Sequence, residues 1–125
     1  MAKKNKPLHT KSKIWIEDTE GNVVFGTGRV RILKAIKQQG SINSAARSLK
    51  MGYRAVWARI TATEKRLGQK LLIRKSGGAS GGGSQLTPLA ETMLSRYENV
   101  QKEVERMTDK MFKDALGERL NICKE

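Results

Sequence analysis

Residues 40–60 read GSINSAARSLKMGYRAVWARI. Ser41 stands where a helix N-cap belongs, and its hydroxyl can accept from an otherwise unpaired amide of the first turn. Ile42, Ala45, Ala46 and Leu49 then recur on one face, and the paired alanines let another helix approach closely. Lys50-Met51-Gly52 is a short turn. A further helix is expected over residues 53–67, with Val56, Ile60, Thr63 and Leu67 on one stripe. Two short helices joined by a tight, glycine-containing turn have the form of a helix-turn-helix. An ordinary helical hairpin has the same apolar pattern. Charge separates the two readings: Arg54 and Arg59 stand opposite the Val56 stripe, and the helix continues through Lys65 and Arg66. An ordinary hairpin has no reason to exclude acids here.

Upstream, Val30, Leu33 and Ile36 recur at helical spacing with Ile32 beside them, and Gly40 is the stop. Before that, KIWIEDTEGNVVFG over 13–26 has the pattern of a β-hairpin, with EDTEGN as its turn. Residues 1–13 are expected as a disordered basic tail.

Downstream, KLLIRK and SQL are short strand-like runs on either side of SGGASGGGS, residues 76–84. That stretch has the composition of a flexible linker, but its bracketing by two such runs makes it the tip of a second hairpin. A phosphate-binding P-loop is excluded, because no Lys-Ser/Thr follows to reach phosphate and metal. The order helix, helix-turn-helix, hairpin is that of a winged helix-turn-helix, so the expected fold is mainly α with a small β-hairpin wing. The winged domain with its N-terminal hairpin is placed at 14–87.

Thr87-Pro88 opens a long helix expected over 88–116, with threonine as the cap and proline at the first helical position. Leu89, Met93, Tyr97, Val100, Val104, Met107 and Met111 follow steps of four, four, three, four, three and four, close to a coiled-coil seam. A helix of about 28 residues is roughly 42 Å long, more than a domain this size can cover, although its first half could lie on its own core. The seam therefore favours a two-fold homodimer over a monomer. Gly117 ends the helix, and 117–125 form a C-terminal tail.

The net charge of +13 is unevenly placed. Residues 1–13 hold five lysines and no acid, and residues 14–28 hold three acids and no base. Residues 29–75 hold thirteen Lys/Arg against Glu64 alone, and residues 76–125 are nearly balanced. A cationic block of this kind is the electrostatic footprint of polyanion binding, although a merely soluble basic surface has one too. No apolar run reaches the roughly 20 residues of a bilayer span, and no apolar stretch follows the basic N-terminus as a secretory signal requires. The lone Cys123 and lone His9 make a structural zinc site and an internal disulfide unexpected. No cofactor, metal or membrane partner is expected, and the single thiol fits a reducing cytoplasm.

GSINSAARSLKMGYRAVWARITATEKRLGQKLLIRK followed by LTP resembles the N-terminal DNA-binding domain of LysR-type regulators, and more closely that of the molybdate-responsive ModE regulators. The shared features are GSI-x-x-A, a Tyr-basic-x-x-Trp opening of the recognition helix (Tyr53, Arg54, Trp57), and a glycine-rich wing before Leu86-Thr87. The resemblance runs over roughly residues 26–115. It implies a prokaryotic, cytoplasmic protein associated with the nucleoid through DNA. The full regulators carry a molybdate-binding region beyond the long helix. This chain ends there, so no oxyanion site is read in it, and a separate effector-binding protein stays open as a partner. The family's wing often carries a basic residue where Ala79 stands.

The resemblance implies double-stranded DNA as partner, with the helix from Tyr53 in the major groove. Arg54 would meet a base edge or a phosphate. Tyr53 and Trp57 share its side, and Trp57 either meets DNA or packs in the core. Arg59 would meet phosphate or solvent. Ser41 and Ser44 would offer backbone amides to a phosphate. Arg74 and Lys75 would anchor the wing base, and Gly77 and Gly78 would let its tip approach the backbone or minor groove. A non-specific architectural DNA binder and a protein-interaction module acting through the Met-rich helix are the alternatives. An enzyme is disfavoured, since no paired carboxylates, metal cluster or Cys/His arrangement lies on the basic block.

Overall fold

The structure is a computed structural model that describes residues 6–75 and 83–122. The chain divides into two units, residues 15–97 and residues 1–14 with 98–125.

In the larger unit, the N-terminal hairpin pairs β1 (Ile16–Glu17) with β2 (Val23–Phe25) antiparallel, with an irregularity in register between Ile16 and Glu17. Asp18 closes its turn by accepting from the Glu20 and Asn22 amides, both at 2.9 Å. The helices are α1 (Thr27–Gln39), α2 (Ile42–Ser48) and α3 (Tyr53–Leu67). The wing pairs β3 (Leu72–Arg74) with β4 (Ser84–Leu86) antiparallel, Leu72 opposite Leu86 and Arg74 opposite Ser84. α4 (Pro88–Leu116) begins in this unit and runs through Tyr97 before entering the second.

The expected apolar stripes meet in one core. Leu33, Ile36, Ala45, Ala46, Val56, Ile60 and Leu71 are buried together, with Phe25 from the hairpin and Leu86, Ala90 and Leu94 closing it. Leu49, Met51, Leu67, Leu89, Met93 and Tyr97 pack against this cluster at its margin. Phe25 meets the edge of Tyr97 at a centroid distance of 5.5 Å and 79° between the rings, a favourable aromatic geometry.

Ser41 caps α2 as its position predicts, its hydroxyl accepting from the Ser44 amide at 3.1 Å. Thr87 caps α4, accepting from the Ala90 amide at 3.2 Å while donating to the Lys70 carbonyl at 2.9 Å. The turn between α2 and α3 does not use its glycine for the left-handed position. Lys50, with φ 56°, takes the left-handed conformation, whereas Gly52 is extended and precedes α3. Gly40, φ 82°, ends α1, and its carbonyl accepts from the Ser84 amide at 2.8 Å. A Cβ on Gly83 would lie 2.9 Å from that carbonyl oxygen, so the wing root needs glycine there.

In the second unit, Gln101 accepts from the Ile14 amide at 3.1 Å and donates to the Ser12 carbonyl at 2.8 Å. Leu8 pairs with Ile122 in an isolated parallel bridge. Of the basic tail expected as disordered over 1–13, Leu8 and Ser12 take part in this arrangement, and residues 1–5 lie outside the described residues. A Cβ on Gly117 would collide with the Lys113 carbonyl, which is why the last helical turn ends on glycine. Among the described residues no helix is long and apolar enough to cross a membrane.

Candidate nucleic-acid interface

α3 is amphipathic, and its two sides have separate roles. Val56, Ile60 and Thr63 are buried, while Tyr53, Arg54, Trp57 and Arg59 are exposed. Trp57 is 42% exposed and stands outside the core, so core packing does not account for it. Its indole lines a cavity of about 330 Å³ between α3 and the wing, with Ile42, Ile60, Leu72 and Arg74 among the other walls. Tyr53 is 41% exposed, and its hydroxyl accepts from a terminal nitrogen of Arg74 at 3.1 Å. The wing base and the start of α3 are thereby joined side chain to side chain.

Arg54 is exposed at the second residue of the helix, and no hydrogen bond or ion pair holds it among the described residues. Arg59 does not share its side. Five residues at 3.6 per turn place it about 140° round the helix from Arg54. There it donates to the Ala55 carbonyl at 3.3 Å and adds its charge to that of Arg66 near Arg29. The expectation of one cationic face thus becomes two: Arg54 stands beside Tyr53 and Trp57, the two that border the wing, and Arg59 stands near Arg29 of α1.

Glu64, the one acid of residues 29–75, lines the same cavity as Trp57 and Arg74, with its charge engaged by the start of the wing. Its carboxylate accepts from the Leu71 amide at 2.8 Å and the Leu72 amide at 3.3 Å, and stands 3.9 Å from Lys70. It fixes the first residues of β3 against α3. The isolated carboxylate of the sequence is therefore a structural bracket for the wing.

At the start of α2, the cap bond takes up the Ser44 amide. The expectation that both Ser41 and Ser44 offer free amides is corrected on this point, since a bonded N–H cannot also serve a phosphate. Lys75 is exposed, and its own amide donates to the Gly83 carbonyl at 2.9 Å, extending the wing ladder by one step. Gly77 and Gly78, with the rest of 76–82, lie outside the described residues.

The expected seam of α4 is divided. Leu89, Met93 and Tyr97 pack against the domain's own core. Val104 is partly buried, whereas Val100, Met107 and Met111 are exposed, Met111 at 65%. Phe112, also exposed, continues the apolar character of this end.

Sequence reasoning did not pick out Arg29, Thr63 and Arg66 as a group. Thr63 is fully buried, donates to the Val24 carbonyl at 2.9 Å and accepts from Arg29 Nε at 3.0 Å. Arg66 donates to the Val23 carbonyl at 3.1 Å. The spacing of Arg59, Thr63 and Arg66 on one helix face is visible in the sequence, but the arrival of Arg29 from another helix is not.

Residues 28–91 match the family described as bacterial regulatory helix-turn-helix protein, lysR family. This chain belongs to that family. The match takes in α1 to the first turn of α4 and therefore the helix-turn-helix and the wing of this lysR-family domain. Among curated relatives, it is 34% identical over 104 residues to the molybdenum transport protein ModE of Azotobacter vinelandii, covering 83% of this chain and 37% of that protein. It is 43% identical over 77 residues to the transcriptional regulator ModE of Haemophilus influenzae, covering 62% of this chain and 30% of that protein. The chain thus spans about a third of the length of these curated relatives. Among solved structures, it resembles that of a CbnR DBD–DNA complex, with a TM-score of 0.55 and 21% identity over 73% of this chain and 99% of that one. At that identity the likeness is one of fold, and it establishes the winged helix-turn-helix architecture of the lysR-family domain.

Proposed function

We propose that this lysR-family chain is a sequence-specific, double-stranded DNA-binding transcription regulator, that it is not an enzyme, and that it works in the cytoplasm as a homodimer. The observation that carries this reading is the exposed Tyr53–Arg54–Trp57 surface at the N-terminal end of α3, with Arg74 of the wing bonded to Tyr53 and the Glu64 carboxylate occupied by the Leu71 and Leu72 amides. α3 would lie in the major groove, where each base pair presents a distinct pattern of donors and acceptors. Arg54 would read a base edge. Trp57 and Tyr53 would meet sugar, phosphate or a thymine methyl. Lys75, Arg74 and the glycine-rich wing, with Gly77 and Gly78, would approach the backbone or minor groove. At the start of α2, Ser44 would reach phosphate through its hydroxyl, with Ser41 holding the helix start in place. The lysR-family membership and the DNA-bound state of the CbnR domain in its complex support this reading.

The exposed end of α4 supports the dimer. Val100, Val104 and Met107 follow the seam beyond the point where Leu89, Met93 and Tyr97 are used within the chain. Met111 continues the seam by a further step of four.

Selection of bound sequences from a random duplex pool tests both parts. A palindromic motif is expected, since two-fold protein symmetry imposes two half-sites at fixed spacing. Retention of every sequence alike would make the chain a non-specific architectural binder instead. Sedimentation of the full chain with Val104→Asp and Met107→Asp would shift a dimer toward monomer, and an unchanged mass would remove α4 from the interface.

A further inference from the structure

We propose that Arg29, Arg59 and Arg66 form a binding site for a phosphate group, separate from the Tyr53–Arg54–Trp57 surface. Where that group is a phosphodiester of the duplex, the inference rests on the DNA-binding reading. Where it is free phosphate, it stands apart from that reading.

Arg59, Thr63 and Arg66 occupy positions i, i+4 and i+7 of α3 and so share one face. Thr63 is the hub of that face. Its buried hydroxyl is locked to the Val24 carbonyl at 2.9 Å and receives Arg29 Nε at 3.0 Å, which brings a guanidinium from the first turn of α1 onto the middle of the α3 face. Arg29 bonds only through Nε, so its two terminal nitrogens have no partner among the described residues. Arg66 is held one residue further along the same strand, by the Val23 carbonyl at 3.1 Å. Among the described residues Arg59 hydrogen-bonds only the Ala55 carbonyl of its own helix.

Arg29 is bonded to Thr63, the charges of Arg59 and Arg66 on the same α3 face act on it, and Asp18 is a carboxylate beside the group among the described residues, 3.8 Å from Arg66 Nε. The crowding has an electrostatic consequence. Burial, and after it the charges of Arg59 and Arg66, holds the Arg29 guanidinium below its ordinary value, although an arginine remains protonated at neutral pH. An anion placed among the three would relieve that repulsion. Guanidinium forks pair with phosphate oxygens two bonds at a time. A tetrahedral phosphate can accept from three directions at once, whereas a carboxylate offers two oxygens in a single plane, so three neighbouring guanidinium groups favour phosphate.

The test uses the full chain and Arg59→Gln, chosen because this side chain bonds only its own helix, followed by Arg59→Gln/Arg66→Gln. Thermal melts by circular dichroism check that each variant is folded. In the first arm, the affinity for a selected duplex and for random duplex is measured across a salt series. Loss of a phosphodiester contact lowers the slope of log K against log salt by about one per contact, equally on both duplexes. In the second arm, inorganic phosphate is titrated at constant ionic strength, and the rise in melting temperature of the wild type is expected to shrink in the variants. A change in the first arm identifies DNA as the source of the phosphate, and a change in the second alone identifies the free ion. If neither the salt slope nor the phosphate-induced shift differs from wild type in the double variant, the site does not exist. A wild type that ignores DNA altogether would sink the regulatory reading, while the second arm would still decide this one.

Discussion

A terminal guanidinium nitrogen of Arg74, in the first strand of the wing, donates to the Tyr53 hydroxyl at the start of α3 across 3.1 Å. Both side chains belong to the surface assigned to DNA, and they come from elements twenty-one residues apart. The bond orders Arg74 toward α3 and sets the wing base relative to the recognition helix. A double-mutant cycle with Tyr53→Phe and Arg74→Gln measures this coupling. DNA affinity should show an interaction energy of about 0.5–1.5 kcal/mol, the net worth of one such hydrogen bond. Additive losses would mean that each residue meets DNA independently.

Arg54 has no partner among the described residues, which leaves its guanidinium available to pair with guanine. Arg54→Ala should cost about 1–3 kcal/mol on the preferred duplex and relax the preference at one base position. Equal weakening on random duplex would reassign the side chain to a phosphate.

Lys75 is exposed at the point where the wing ladder continues by a backbone bond to Gly83. As an ammonium it acts as a point charge without directional base readout. Lys75→Ala is expected to weaken binding to all duplexes alike and to lower the salt slope by about one. A slope equal to that of the wild type would exclude a phosphate contact there.

Glu64→Ala would leave the Leu71 and Leu72 amides without their acceptor, and Leu71 is wholly buried. A buried donor left unmatched costs about 1–3 kcal/mol. The expected result in urea denaturation is a lower midpoint with an unchanged m-value. Because the wing root is loosened, DNA affinity should fall even though a negative charge has been removed from a cationic surface. A gain in affinity would show that Glu64 acts by repelling DNA.

The Asp18 carboxyl is held below the ordinary aspartate range, first by the Asn22 amide, then by the Asn22 side chain, with the Glu20 amide and Arg66 adding to the effect. Its folded value therefore lies under its unfolded one. The contribution to hairpin stability is complete above about pH 5 and is lost as pH falls below about 4, through the folded value. Carboxyl carbon shifts of Asp18 and the amide shift of Asn22 should titrate together, and Asp18→Asn should remove the dependence. A midpoint at or above that of a free aspartate would contradict the turn geometry.

The helix-turn-helix was legible in residues 40–60 because its determinants are local. Ile42, Ala45 and Ala46, then Val56, Ile60 and Thr63, mark a buried face by helical spacing alone, and the Ser41 cap acts on an amide three residues away. The bracketing of the glycine-rich stretch by two strand-like runs was enough to expect a wing. Tertiary structure decided which long-range pairs form. Thr63 counted in the sequence as one member of an apolar stripe, yet its hydroxyl joins Val24 to Arg29, partners 39 and 34 residues away. Glu64 read as an exception to a basic block, until the docking of β3 brought two amides to its carboxylate. The α4 seam was continuous in sequence, but packing assigns Leu89, Met93 and Tyr97 to the chain's own core and leaves Val100, Met107 and Met111 exposed. Periodicity reports which side of a helix avoids water. It carries no information about the element that covers that side, because this depends on how distant segments dock.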